Sequence, residues 1–397
     1  MRLLVYAPNA AGVFDQSIDQ PFGGMETVAK TLADALGRRS DVDVIVAVES
    51  LQWPAIRTVE GVRVGNRPNR PAQLAAEFGR TTGGGGGERP IRRIFRRAAI
   101  AAELAVRRLA GPRPPASEPD DWFASLGCEW HLTSGASRQS LGMIRSVERS
   151  ALRVASDADL APPAADRQTP YGEPSVVSAE AVRSADVVFV QTTRQQQLLA
   201  DHFARDGVLL PNPIDPEPWL AVRDREPTAD VLWVGRADRF HKRPHLALDA
   251  AASTPRLSWR FVMPRGTDAT LQRELDERIA ALPNVALQSA VPFAEMPSLM
   301  AGCRTLCVTG SPDFEGLPNV LLQAALCGRP VVSLGAGEAF LAASGAGTVV
   351  TDATAMADEL RRLCEGPTPR EAGREYVVAH HSADAFAAKL VETLVSA

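Results

Sequence analysis

The stretch TLCVTGSPDFEGLPNVLLQAALCGRPVV, residues 305–332, decides the fold class. Thr305–Val308 is a short apolar run of the kind that forms a buried strand. A polar loop follows, carrying Glu315, and Pro318 suits the first turn of a helix because it has no N–H to leave unpaired. That helix has to end before Gly328, and Val331-Val332 starts another strand. Strand, loop, helix and strand form a βαβ unit, which builds a parallel sheet. Glu315 and several free backbone N–H groups then meet at the carboxyl edge of that sheet, where α/β folds bind ligands.

Working outward, the same rhythm fills the second half of the chain. Apolar runs begin near Val231, Trp259, Val285, Thr305, Val331 and Thr348, with helical patterns between most of them. The first fifty residues repeat it once more. Leu3–Ala7 predicts a strand and Gly23-Gly24 a loop. A helix follows with Met25, Val28, Leu32 and Leu36 on one face and Gly37 as its cap, then a strand at Val44–Val48. Asp186–Val190 predicts a further strand followed by a glutamine-rich helix. Leu209–Asp215, punctuated by Pro211 and Pro213, predicts a linker between two α/β domains.

Composition bounds the function. The chain has 397 residues, 45% apolar and 23% charged, with a net charge of −4, which argues against a nucleic-acid coat. No window approaches 18 uninterrupted apolar residues, and Leu3–Ala7 is too short for a signal core, so the expectation is a cytoplasmic protein without a membrane span. Five scattered cysteines do not suggest a disulfide framework. Only Lys30, Lys242 and Lys389 stand against forty arginines, so a retained lysine attracts notice for its compact charge. Residues 66–120 break the βα rhythm. Five glycines (Gly83–Gly87) lead into Glu88–Arg113, where eight arginines oppose two glutamates around an apolar face at helical spacing. That basic amphipathic helix suits peripheral contact with an anionic membrane, and equally an ordinary solvated face.

A second chemical cluster is Val234-Gly235-Arg236, with Lys242 six residues on. Two cations just past a strand end suit a diphosphate. Together with Glu315-Gly316-Leu317-Pro318, the Gly23-Gly24 loop, the Asn212-Pro213-Ile214-Asp215 linker and a last helix over 379–397, these features resemble the retaining glycosyltransferases of the GT-B fold, in particular family 4. The resemblance covers residues 209–397 and the first fifty and is weak from 66 to 180.

It implies two Rossmann-like domains facing across a cleft. These would be an acceptor-binding domain over 1–210 and a nucleotide-sugar-binding domain over 211–378, with the final helix returning to the first. It implies transfer of a sugar from a nucleotide-diphosphate sugar to an acceptor hydroxyl, with no metal and no other cofactor. Arg236 and Lys242 would neutralise the diphosphate, and Gly23 and Gly24 would admit its distal phosphate. Glu315 would bind the transferred sugar beside the N–H groups of Gly316, Leu317 and Asn319, and His131 is the candidate for an N-domain histidine near that sugar. The acceptor, a lipid-linked glycan or a small natural product, is not specified. One departure concerns the family's second glutamate, eight residues after the first, which is Gln323 here; a neutral amide holds ribose hydroxyls less tightly than a carboxylate.

Other constellations carry less. Asp41-Val42-Asp43 and Asp157-Ala158-Asp159 match the Asp-x-Asp of metal-dependent transferases, but neither follows an apolar strand. Cys303 and Cys307 straddle a strand without a paired cluster for zinc, and His380-His381 has no ligand partners nearby in sequence. A dinucleotide oxidoreductase is disfavoured because the first loop has no Gly-x-Gly-x-x-Gly, Glu49 at the second strand's end being the only support. A nucleotide-sugar binder or epimerase without transferase activity is the remaining alternative, kept open by Gln323.

Overall fold

A computed structural model describes all residues except 16, 19–22, 51–55, 68–97, 99–100, 103–118, 165–166, 170–172, 267, 290 and 367–370. Most of the basic segment Arg89–Arg113 therefore lies outside the described residues. The chain divides into two compact units, Met1–Leu152 with Ser184–Asp186, and Arg153–Arg183 with Val187–Ala397.

The first sheet has eight strands: β1 (Arg2–Tyr6), β2 (Asp43–Val48), β3 (Ile56–Val59), β4 (Val62–Asn66), β5 (Trp130–Ser134), β6 (Ser150–Arg153), β7 (Val187–Val190) and β8 (Val208–Leu209). Their order is β3-β4-β2-β1-β5-β6-β7-β8. β3 and β4 form an antiparallel hairpin turning through Glu60 and Gly61, both at positive φ; β1 pairs in parallel with β2 and β5. The helix Gly24–Gly37 buries Val28, Leu32 and Leu36 as expected. Met25, placed on that face by sequence, is instead 43% exposed, because it sits in the first turn ahead of the packed stripe.

All six predicted apolar runs of the second half are strands: β9 (Ala229–Val234), β10 (Trp259–Val262), β11 (Val285–Gln288), β12 (Cys303–Val308), β13 (Val331–Ser333) and β14 (Gly347–Val349). They form one parallel sheet in the order β11-β10-β9-β12-β13-β14. Both faces are covered. On β9, Val231 and Trp233 enter one apolar cluster, where Trp233 stacks on Phe261 at 5.2 Å, while Leu232 enters the other. This strict alternation between two buried faces is why these strands read as continuous apolar runs. Chain order runs outward from β9 to β11, then jumps back to β12. The β9/β12 boundary is therefore the topological switch point, where the carboxyl ends of adjacent strands splay and leave a crevice.

Candidate active site

The switch point gathers Arg236, Lys242 and Glu315. β9 ends at Val234, and Gly235 and Arg236 follow. Gly235 is needed for space, since a Cβ there would lie 2.9 Å from the Trp233 ring. The loop then folds on Asp238, whose Oδ1 accepts from the N–H of Phe240 at 3.0 Å and of His241 at 2.7 Å. It is tied to the end of β12 by Thr309 Oγ1 donating to the Lys242 carbonyl (2.7 Å) and Ser311 N–H donating to the His241 carbonyl (2.8 Å). Arg243 completes the brace. Its backbone is left-handed, φ +48, and its guanidinium donates to the carbonyls of Thr309 (2.6 Å), Gly310 (2.8 Å) and Leu334 (2.9 Å). A left-handed residue costs about 1–2 kcal/mol, and hydrogen bonds from a charged group contribute roughly 1.5–3 kcal/mol each, so the brace offsets the strain.

Glu315 is buried, with Lys242 Nζ 2.5 Å and His241 Nε2 3.1 Å from its Oε1. Burial alone would raise its pKa. The charge of Lys242, followed by the contact with His241, overrides this and holds the carboxyl at about 2. Glu315 is therefore ionised throughout the physiological range: it accepts hydrogen bonds and stabilises positive charge, and it cannot serve as a proton donor. Gly310 leaves room for it, since a Cβ there would stand 2.6 Å from Oε1. Arg236 is half exposed, with Asp238 at 3.6 Å and His241 Nδ1 at 3.3 Å from its guanidinium. His241 thus stands between Arg236 and Glu315. Sequence reading missed it, although it adjoins Lys242.

The helix predicted after Pro318 spans Asn319–Leu326, with Pro318 as its cap residue. Gly316 precedes it at close quarters, because a Cβ would meet Gln191 Oε1 at 2.7 Å. The Leu317 N–H, expected among the free donors, instead donates to Gln191 Oε1 at 3.0 Å. Gln323 is 7% exposed and does not face solvent.

Gly23, Gly24, His131 and Glu49 lie in the unit Met1–Leu152. Gly23 caps the helix Gly24–Gly37, and its N–H donates to Glu26 Oε2 at 2.8 Å, so a carboxylate already sits at that N-terminus. His131 lies within β5, buried, with Nε2 3.4 Å from the Phe123 carbonyl and a pKa lowered by burial. Glu49 is committed to a buried network, accepting from Tyr6 Oη at 2.5 Å and Arg67 Nη1 at 2.6 Å, while Arg67 Nη2 donates to Asp120 at 2.8 Å. That pairing removes the one feature that favoured a dinucleotide ribose. Of the two Asp-x-Asp matches, Asp41 pairs with Arg39, Asp43 with Arg2, and Asp157 with Arg194 at the wall of a cavity of about 370 Å³. Among the described residues no group of three or more His, Cys, Asp or Glu side chains is arranged to hold a metal ion. Cys303 and Cys307 are core residues of β12, and His381 Nδ1 donates to the Asn212 carbonyl at 2.9 Å.

A largely parallel sheet in each half of the chain, with this crevice at the switch point of the second, defines an α/β protein of the GT-B fold, and solved structures agree. Sucrose-phosphate synthase from Thermosynechococcus elongatus superposes with a TM-score of 0.72 at 15% identity, covering 100% of this chain and 98% of its own. HepE from Anabaena, in complex with UDP and glucose, gives 0.64 at 14% over 100% of both chains. WaaG, a glycosyltransferase involved in lipopolysaccharide biosynthesis, gives 0.63 at 14%, again over 100% of both. Residues 228–366 match the family Glycosyl transferases group 1. That segment contains Arg236, Lys242, Glu315 and Gln323. No curated protein matches the chain by sequence.

Proposed function

We propose that the protein is a retaining, metal-independent glycosyltransferase that moves a hexosyl group from a nucleoside-diphosphate sugar to an acceptor hydroxyl. The observation that carries this reading is the Lys242–Glu315 pair, 2.5 Å apart at the switch point with Arg236 on the same loop. A diphosphate requires the two cations, and an ionised carboxylate beside them suits the hydroxyls of the attached sugar. Catalysis is then chiefly electrostatic. Arg236 and Lys242 stabilise the departing diphosphate, and Glu315, held ionised, stabilises positive charge developing on the sugar ring. A diphosphate oxygen on the face that the leaving group vacates takes the acceptor proton, which accounts for retention without a second carboxylate.

The test is thermal stabilisation of the purified protein by UDP, GDP, ADP, dTDP, CDP and NAD. HepE was solved with UDP, so UDP is the first probe. At 100 times its dissociation constant a ligand stabilises by about 2.7 kcal/mol, a readily measured shift. A shift with one nucleoside diphosphate supports the reading, whereas a shift with NAD alone, or with none, overturns it. Gln323 favours a second reading, a nucleotide-sugar binder or epimerase, which release of free or transferred sugar from the donor distinguishes.

The same position yields a prediction. Gln323→Glu restores a charged acceptor for ribose hydroxyls and is expected to tighten nucleotide binding by about 1 kcal/mol, or roughly fivefold. Because residue 323 is buried, the ligand-free variant should melt lower. Calorimetric titration giving unchanged or weaker affinity would remove residue 323 from the ribose site.

The acceptor is a lipid-linked glycan or a soluble natural product. Among the described residues no helix is long and apolar enough to cross a membrane. Any contact with an anionic lipid surface falls to the basic segment Arg89–Arg113.

A further inference from the structure

The peptide groups flanking Leu317 are held from two sides. Its N–H donates to Gln191 Oε1 at 3.0 Å, and its carbonyl accepts from Asn212 Nδ2 at 2.6 Å. Leu317 lies two residues after Glu315 and two before Asn319, the first residue of the helix Asn319–Leu326. Each gripping amide is fixed in turn. Gln191 Nε2 donates to the carbonyls of Val154 (2.8 Å) and Ala155 (2.9 Å). Asn212 Nδ2 also reaches Asn319 Oδ1 at 2.7 Å, and the Asn212 carbonyl accepts from His381. Close approach at Gly316 lets Gln191 reach this far.

Behind Asn212 stands Arg153, which is 2% exposed. Its Nη2 donates to Asn212 Oδ1, its Nε has no hydrogen-bond partner, and no carboxylate lies near enough among the described residues to offset its burial. A guanidinium buried without a counter-charge is costly. It persists here on the one amide that grips the Leu317 carbonyl. A cation on Oδ1 polarises the amide and strengthens donation from Nδ2.

We propose that Arg153, Asn212 and Gln191 are positioning residues that hold the Leu317 segment, and through it the Glu315 carboxylate and the first turn of Asn319–Leu326, in one register against the donor sugar. The clamp is independent of what Glu315 binds; the consequence for turnover rests on the transferase reading above.

Asn212→Asp separates positioning from stability. The carboxylate gives Arg153 the counter-charge it lacks, while the donor to the Leu317 carbonyl is replaced by an acceptor. Expected are an unchanged or higher melting temperature and amide exchange of residues 313–319 faster by about tenfold or more. Donor turnover should fall by about tenfold or more, with the dissociation constant of UDP, or of whichever nucleoside diphosphate stabilises the wild type, moving less than about threefold. Gln191→Met, which brings no charge, should likewise speed exchange and slow turnover. The proposal is overturned if exchange over 313–319 is unchanged in both variants, or if turnover falls only in step with melting temperature. Should the wild type bind none of the nucleotides, the exchange experiment still decides the clamp, and it is the transferase reading that has failed.

Discussion

Methionine in place of Lys242 is expected to lower turnover by about 10²–10³-fold, the cost of removing one preorganised charge from a developing anion. It should also destabilise the fold by about 3 kcal/mol, because it strands a buried carboxylate. The two effects share one cause, the 2.5 Å contact with Glu315. A folded pKa of about 2 against an ordinary 4.5 means that ionised Glu315 contributes stability above about pH 4.5, and that this is lost as the pH falls towards 2. Without Lys242 the carboxyl titrates higher and takes up its proton earlier. The stability gap between wild type and variant should therefore be largest at neutral pH and narrow as the pH falls from the variant's own titration towards 2. Melting curves at pH 7, 5 and 3 check this; a gap that ignores pH would show that the pair is not what holds Glu315 ionised.

Arg236→Ala should behave differently. Turnover is again expected to fall by about 10²–10³-fold. Stability, however, should move by no more than about 0.5 kcal/mol, since the side chain is half exposed and held only at 3.3–3.6 Å. Initial rates with the cognate donor, set beside melting temperatures, resolve the contrast. Near-normal rates in both variants would refute the assignment of the diphosphate site.

The second sheet was legible strand by strand because its central strands β9, β10, β12 and β13 are largely buried on both faces and each strand is separated from the next by helix-length spacing. The same reading placed Gly235-Arg236, Lys242 and Glu315 at strand ends, and the switch point explains why they gather there. What escaped depends on partners remote in sequence. Arg67 fell inside the stretch set apart as an insertion, yet it is buried against Glu49 and Asp120, 18 and 53 residues away. No periodicity encodes such a network. The hairpin β3/β4 was missed because its edge strand exposes its residues, Ile56 at 68%, and so shows no apolar run. Asn212 was noticed only as part of a linker, while its contacts with Leu317 and Asn319 span more than a hundred residues. His131 drew attention for its chemistry, but its nearest polar neighbour, the Phe123 carbonyl, is set by the packing of the short helix Asp121–Ser125 on the sheet.

Arg243 bears on how such a site can drift. All six arginine codons become glycine codons through a single base change, and glycine is the residue that a left-handed backbone accepts without strain. Mutation therefore offers the exchange readily. It would remove three donors at once and leave the carbonyls of Thr309, Gly310 and Leu334 to find new partners at the rim of the crevice. A substitution that relaxes the backbone locally is thus disfavoured by the loop it unties. Position 243 is a local optimum in sequence space, held by what its side chain binds rather than by what its backbone prefers.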